Sequence, residues 1–127
     1  MLRGEAYNVG RATQVRDFTG LCFDAITPTD IDAFIDFGNR LFVFIEAKVH
    51  GAELPRGQRL ALERLCDSQR VRTFVLIVSH ESPPQEPIDF AQASVVEYRY
   101  KRRWIVPARL YSCRALVEGI YRRYGAG

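Results

Sequence analysis

The 127-residue sequence predicts one α/β domain over residues 1–127, a central mixed β-sheet flanked by helices. Three observations predict it. Residues 30–37 and 41–49 read as two strands around a Gly-Asn turn, each with one wholly apolar face at the two-residue period of β-structure. Thr73-Phe74-Val75-Leu76-Ile77-Val78 is apolar without alternation, as in a central strand covered on both faces. Segments 56–69 and 112–124 carry apolar residues at helical spacing on one face. With 47% of its residues hydrophobic and 26% charged, the chain can bury a core of its own, and its length leaves no room for a second domain.

Taken in order, residues 5–16 form a short, weakly periodic helix and 21–26 a strand. Residues 30–37 and 41–49 are the alternating pair. The helix over 56–69 opens at Pro55, which suits a first-turn position, and its apolar stripe is Ala61, Leu62, Leu65 and Cys66. Residues 72–79 are the central strand. Glu81 to Pro87 holds three prolines and is a loop within the domain. Residues 94–103 read as a further strand, and the last helix packs by Leu116, Ile120 and Tyr124 while Arg122 and Arg123 face outward.

The amino terminus lacks the apolar stretch of a signal peptide, and no segment approaches the roughly 20 apolar residues of a membrane span. A soluble, cytoplasmic protein without membrane contact is therefore expected. Cys22, Cys66 and Cys113 are too far apart for any C-x-x-C spacing and read as reduced packing residues. His50 and His80 have no partner at ligand spacing, which argues against zinc.

Charge is unevenly placed. From Asp17 to Glu53 seven carboxylates face only Arg40 and Lys48, a net −5, and from Tyr98 onward eight bases face Glu118 alone, a net +7. A carboxylate-rich centre with a basic flank is what a metal-dependent enzyme acting on a polyanion needs. On charge alone, two solvated faces of opposite sign are the simpler explanation.

The hairpin carries more. Ile31, Ala33, Ile35 and Phe37 share one face of the first strand, and Leu41, Val43, Ile45, Ala47 and Val49 one face of the second. Burying both sets together requires antiparallel partners whose numbers sum to an even value, which a three-residue turn Gly38-Asn39-Arg40 satisfies. That register pairs Phe37 with Leu41 and sets Asp32 opposite Glu46 and Asp30 opposite Lys48 on the other face. Two carboxylates at cross-strand distance repel by about 4 kcal/mol at an effective dielectric near 20. A bound hard cation, Mg²⁺ or Mn²⁺, reverses the sign. Gln58 extends the helix stripe backwards on its buried face, either as a residue at the helix rim or as part of this site.

An aspartate, a hairpin, Glu-x-Lys and then a helix bearing glutamine resemble the core of the PD-(D/E)XK nucleases. The run from Glu46 to Gln58 is most similar to the virus-type replication-repair nuclease branch, and archaeal-type Holliday junction resolvases are similar too. The resemblance covers about residues 30–79. Two departures stand out: no proline precedes the aspartate directly, so that Pro28-Thr29-Asp30-Ile31-Asp32 leaves both Asp30 and Asp32 eligible, Asp32 being preferred because it lies opposite Glu46, and the helical glutamate of many members could only be Glu5.

The resemblance implies a restriction-endonuclease-like domain that hydrolyses DNA phosphodiesters with Mg²⁺ or Mn²⁺. Asp32, Glu46 and the backbone carbonyl of Ala47 hold the metal, Lys48 orients water or steadies the transition state, and Gln58 positions Lys48 or the water. Asp30, Glu5 and His50 are accessory candidates, although His50 is more simply an exposed strand end. Arg99, Lys101, Arg102, Arg103, Arg122 and Arg123 are expected on the DNA backbone, and a homodimer supplies two sites for two cuts. The competing readings are a catalytically silent nucleic-acid-binding or assembly module on the same fold, and a basic scaffold whose Tyr98, Tyr100 and Trp104 stack on bases.

Overall fold

The computed structural model describes residues 15–125. Strands β1 (Ala33–Asp36), β2 (Leu41–Val49), β3 (Arg72–His80), β4 (Ser94–Tyr100) and β5 (Arg103–Ile105) form one sheet in that spatial order. Only β2 and β3 run parallel; every other pair is antiparallel. The parallel pair is joined by helix α1 (Arg56–Asp67), and α2 (Cys113–Ile120) follows the sheet. This is the predicted α/β domain with a mixed sheet flanked by helices.

Alternation along β2 and β3 divides the core into two layers. Leu41, Val43, Ile45, Phe74, Leu76 and Val78 point to one face, where they pack with Val95 and with Cys113 and Ile120 of α2. Phe44, Val75 and Ile77 point to the other and meet Leu62 and Cys66 of α1. Strand β3 is buried on both faces from Thr73 to Val78, the reason its sequence lacks alternation.

The hairpin has the expected register: Ala33 pairs Ile45 and Ile35 pairs Val43, while the Phe37 N–H donates to the Leu41 carbonyl at 2.9 Å. Asn39 takes φ 62° in the turn, and its N–H donates to the Asp36 carboxylate at 2.7 Å.

Four expectations are corrected. The strand expected at 30–37 begins only at Ala33, so Asp30, Ile31 and Asp32 precede the ladder and Ile31 packs with the α1 layer rather than with Ile35. Residues 21–26 are no strand. A 3₁₀ turn (Thr19–Leu21) and a single bridge from Phe23 to Ile26, closed around Asp24 at φ 56°, replace it, because among the described residues no strand lies alongside to complete a ladder. The strand expected over 94–103 is cut after Tyr100 by Lys101 and Arg102, whose φ of 49° and 63° make a two-residue hairpin turn of the left-handed kind that matches sheet twist. The last helix ends at Ile120 and continues as one wide π turn, Tyr121–Gly125. The helix expected at 5–16 lies almost wholly outside the described residues, as does Glu5.

Candidate active site

Beyond Ala33–Ile45 the edge of β2 has lost its β1 partner, and Asp32 fills the gap. Its Oδ2 accepts from the Ala47 N–H at 2.7 Å, leaving Oδ1 unused by that bond. In an extended strand the N–H and C=O of one residue point to the same side, so the Ala47 carbonyl lies on this same edge.

Glu46, one residue earlier, faces the α1 layer with Phe44 and Lys48 and is only 5% exposed. Lys48 Nζ lies 3.4 Å from its Oε1, and Oε2 is buried with no hydrogen-bond partner. Burial pushes the Glu46 carboxyl above its ordinary range and the nearby Asp32 charge adds to this; the Gln58 amide and Lys48 pull the other way without cancelling it. A buried carboxylate oxygen left without a partner costs about 1–3 kcal/mol.

Gln58 lies beside Glu46. It stands in the first turn of α1, half-buried, and its Nε2 lies 3.5 Å from the Asp30 carbonyl, so it ties the start of the helix to the chain entering β1. Asp30 is not opposite Lys48 as expected: its carboxylate is paired with Arg16 at 2.9 Å, because the ladder stops before it. Asp32, expected opposite Glu46, also precedes the ladder; it bonds the Ala47 N–H instead, and its charge reaches Glu46. His50 follows β2, is exposed, and lies 3.5 Å through Nδ1 from Ser79 Oγ. It borders a groove of about 540 Å³ shared with Lys48, Arg59 and Glu97. Arg59, absent from the sequence-derived set, is bonded to Glu97 and lies over the Trp104 ring at 4.7 Å. One residue past Gln58, it turns toward β4, a direction that only the position of that strand reveals.

The basic residues divide. Arg99 is only 9% exposed, and its Nε and Nη2 donate to both Asp67 oxygens at 3.1 and 2.7 Å, with Glu63 at 3.8 Å. Those carboxylates hold it inside, so the expectation that Arg99 meets DNA is corrected. Lys101, Arg102, Arg103, Arg122 and Arg123 are exposed, although Arg122 pairs with Glu118 at 2.7 Å. The aromatic residues of β4 and β5 are engaged internally. Tyr100 stacks on Phe74 with centroids 4.1 Å apart, and the Trp104 indole N–H donates to Glu63 at 2.7 Å.

Among the described residues no three His, Cys, Asp or Glu side chains gather closely enough to hold a metal by themselves. A cation here has two carboxylates, and the rest of its shell must come from backbone oxygen, water or substrate, a pattern that suits Mg²⁺ and Mn²⁺. The unpartnered Oε2 of Glu46 fits such a ligand. No family model, curated protein or solved structure matches the chain. Among the described residues no helix is long and apolar enough to cross a membrane.

Proposed function

We propose that this chain is a Mg²⁺- or Mn²⁺-dependent deoxyribonuclease of PD-(D/E)XK type with a restriction-endonuclease-like domain. The observation that carries the reading is Glu46: a buried carboxylate with one bare oxygen, next to Asp32 and Lys48, at the point where β2 emerges from its β1 partner.

Asp32 and Glu46, with the carbonyl of Ala47, would hold the cation. Once bound, it supplies a water of lowered pKa and offsets charge developing on phosphorus. The chain's own residues do the rest. Lys48, its stem half-buried and its ammonium beside Glu46, offers a fixed positive charge to the phosphate in flight. Gln58 steadies the approach of Asp32 by its contact with the Asp30 carbonyl and offers an amide toward Glu46. The Ala47 N–H fixes one Asp32 oxygen, so the other is presented without rotational freedom. His50 and Ser79 lie at the rim of the same groove, within reach of a substrate strand. Lys101, Arg102, Arg103, Arg122 and Arg123 are the backbone contacts of this reading, and two cuts in a duplex call for a homodimer, which sedimentation tests.

The deciding assay is nicking of supercoiled plasmid and of a branched substrate in Mg²⁺ and in Mn²⁺, for wild type, Lys48→Ala and Glu46→Ala. Cleavage by wild type alone is expected. Equal activity in all three would mean another active site or a contaminant. A wild type that neither cuts nor binds metal would support the silent binding module instead.

A further inference from the structure

The bases nearest the carboxylates are not the ones the carboxyl-terminal third supplies. Glu46 pairs Ile77 near the end of β3, whereas Arg72 pairs Leu41 at its start. Tyr100, Lys101 and Arg102 lie at that same start, so the basic turn occupies the opposite end of the sheet from the candidate site, about 17 Å away at roughly 3.3 Å per residue. Helix α1 spans the interval on the same face of the sheet. Its first turn bears Gln58 beside Glu46, and its last residues, Cys66 and Asp67, border a pocket of about 350 Å³ with Arg70, Arg72, Lys101 and Arg102.

What α1 shows to solvent is basic. Arg56, Leu60, Arg64 and Ser68 recur at intervals of four and are all exposed, with Arg70 two residues beyond. The acids of the helix are turned aside: Glu63 accepts from Trp104, and Asp67 is spent on Arg99. Among the described residues no carboxylate pairs with Arg56, Arg64 or Arg70. Arg72 is held in place by the Tyr100 hydroxyl and by the Tyr124 ring, 4.2 Å beneath its guanidinium.

We propose that the outer face of α1, from Arg56 through Arg64 to the pocket edged by Arg70, Lys101 and Arg102, is a track for the sugar-phosphate backbone of a nucleic-acid duplex. The inference deepens the nuclease reading and rests on it for the identity of the polyanion. Charge complementarity chooses the occupant. The twelve-residue helix is about 18 Å long, and a duplex strand offers a phosphate every 3.4 Å or so along its axis, so the track matches roughly five base steps. A membrane surface would ask for a broad apolar face, and this stripe has only Leu60. The substrate must then extend about five base pairs from the scissile phosphate toward the Lys101–Arg102 turn.

The test is binding of a fluorescein-labelled 20-base-pair duplex by the full chain in EDTA, across a salt series, for wild type and an Arg56→Ala/Arg64→Ala/Arg70→Ala variant. All three side chains are exposed, and an unchanged circular dichroism melt confirms the fold. Arg109→Ala/Arg114→Ala, on segments away from α1, is the control for net charge. We expect the logarithmic salt slope to fall by about 0.9 per lost phosphate contact, roughly 2–3 in all, with at least tenfold weaker binding near 0.1 M salt. The control should lose far less.

An unchanged slope in the α1 variant overturns the track, as does a wild type that binds phosphatidylserine vesicles but not duplex. Because binding is read in EDTA, the two readings fail separately. Duplex bound through α1 without any cleavage in Mn²⁺ keeps the track and removes the nuclease; cleavage and binding unaffected by the α1 variant do the reverse.

Discussion

Replacing Glu46 by glutamine should make the metal-free protein more stable while abolishing its chemistry. Glu46 is 5% exposed, one of its oxygens is bare, and Asp32 lies close enough to raise its pKa further. Glutamine keeps the volume, removes the charge and turns one bare acceptor into a donor that can face Asp32. The unsatisfied oxygen costs about 1–3 kcal/mol, so Glu46→Gln should gain about 1–2 kcal/mol, or roughly 3–8 °C in Tm for a domain of this size.

The gain has a pH signature. The folded-state pKa of Glu46 is raised above its ordinary 4.5, so as pH rises the unfolded chain loses this proton first. Stability is therefore lost between about pH 4.5 and the raised folded value, and the deficit is complete above it. Thermal melts followed by circular dichroism in EDTA should show the variant ahead at pH 8 and level with wild type near pH 4. Added Mn²⁺ should raise the wild-type Tm and leave the variant unmoved. A variant no more stable at pH 8, or one with the same advantage at both pH values, would show that Lys48 satisfies the Glu46 charge within the fold and that the pair is structural.

Four further outcomes are expected. Lys48→Ala should slow plasmid nicking by about 10² or more while calorimetry still detects Mn²⁺, since both carboxylates remain. Arg99→Ala should cost about 1–3 kcal/mol in urea unfolding, because Asp67 loses the two hydrogen bonds it accepts from the guanidinium and Glu63 its nearby cation, while Trp104 still donates to Glu63. Only Cys22 should react quickly with a thiol reagent in the native protein: it is exposed, whereas burial pushes the Cys66 and Cys113 thiols up to about 11. Changing Lys101-Arg102 to Asn-Gly should raise the Tm by a few degrees, relieving two left-handed residues with side chains unsuited to them, and weaken duplex binding at the same time.

The sequence determined the parts of this protein that depend on local periodicity. The two-residue period of Leu41, Val43, Ile45 and Ala47 fixed which face Glu46 and Lys48 take, and the even-sum rule for the Gly38-Asn39-Arg40 turn fixed the β1–β2 register. The unbroken apolar run in β3 announced a strand covered twice, and the two amphipathic helices supplied the covers. Periodicity also held the α1 stripe of Arg56, Leu60 and Arg64, opposite Leu62 and Cys66, although charge totals drew attention to the carboxyl-terminal third instead.

Tertiary structure decided what periodicity cannot carry, namely where elements end and which charges meet across long separations in the chain. The β1 ladder stops at Ala33 because Ile31 finds the α1 layer, and that early stop lets Asp32 reach the Ala47 N–H while Asp30 is left to Arg16. The Lys101-Arg102 turn has no Asn-Gly signal, and pairing with β5 imposes its left-handed backbone. Arg99 looked like any basic residue of an edge strand until α1 set Asp67 and Glu63 against it. The burial of Glu46 follows from no local pattern; it arises because two other parts of the chain, β3 with Ile77 and α1 with Gln58 and Leu62, come to lie on that side of a strand that the sequence leaves half exposed.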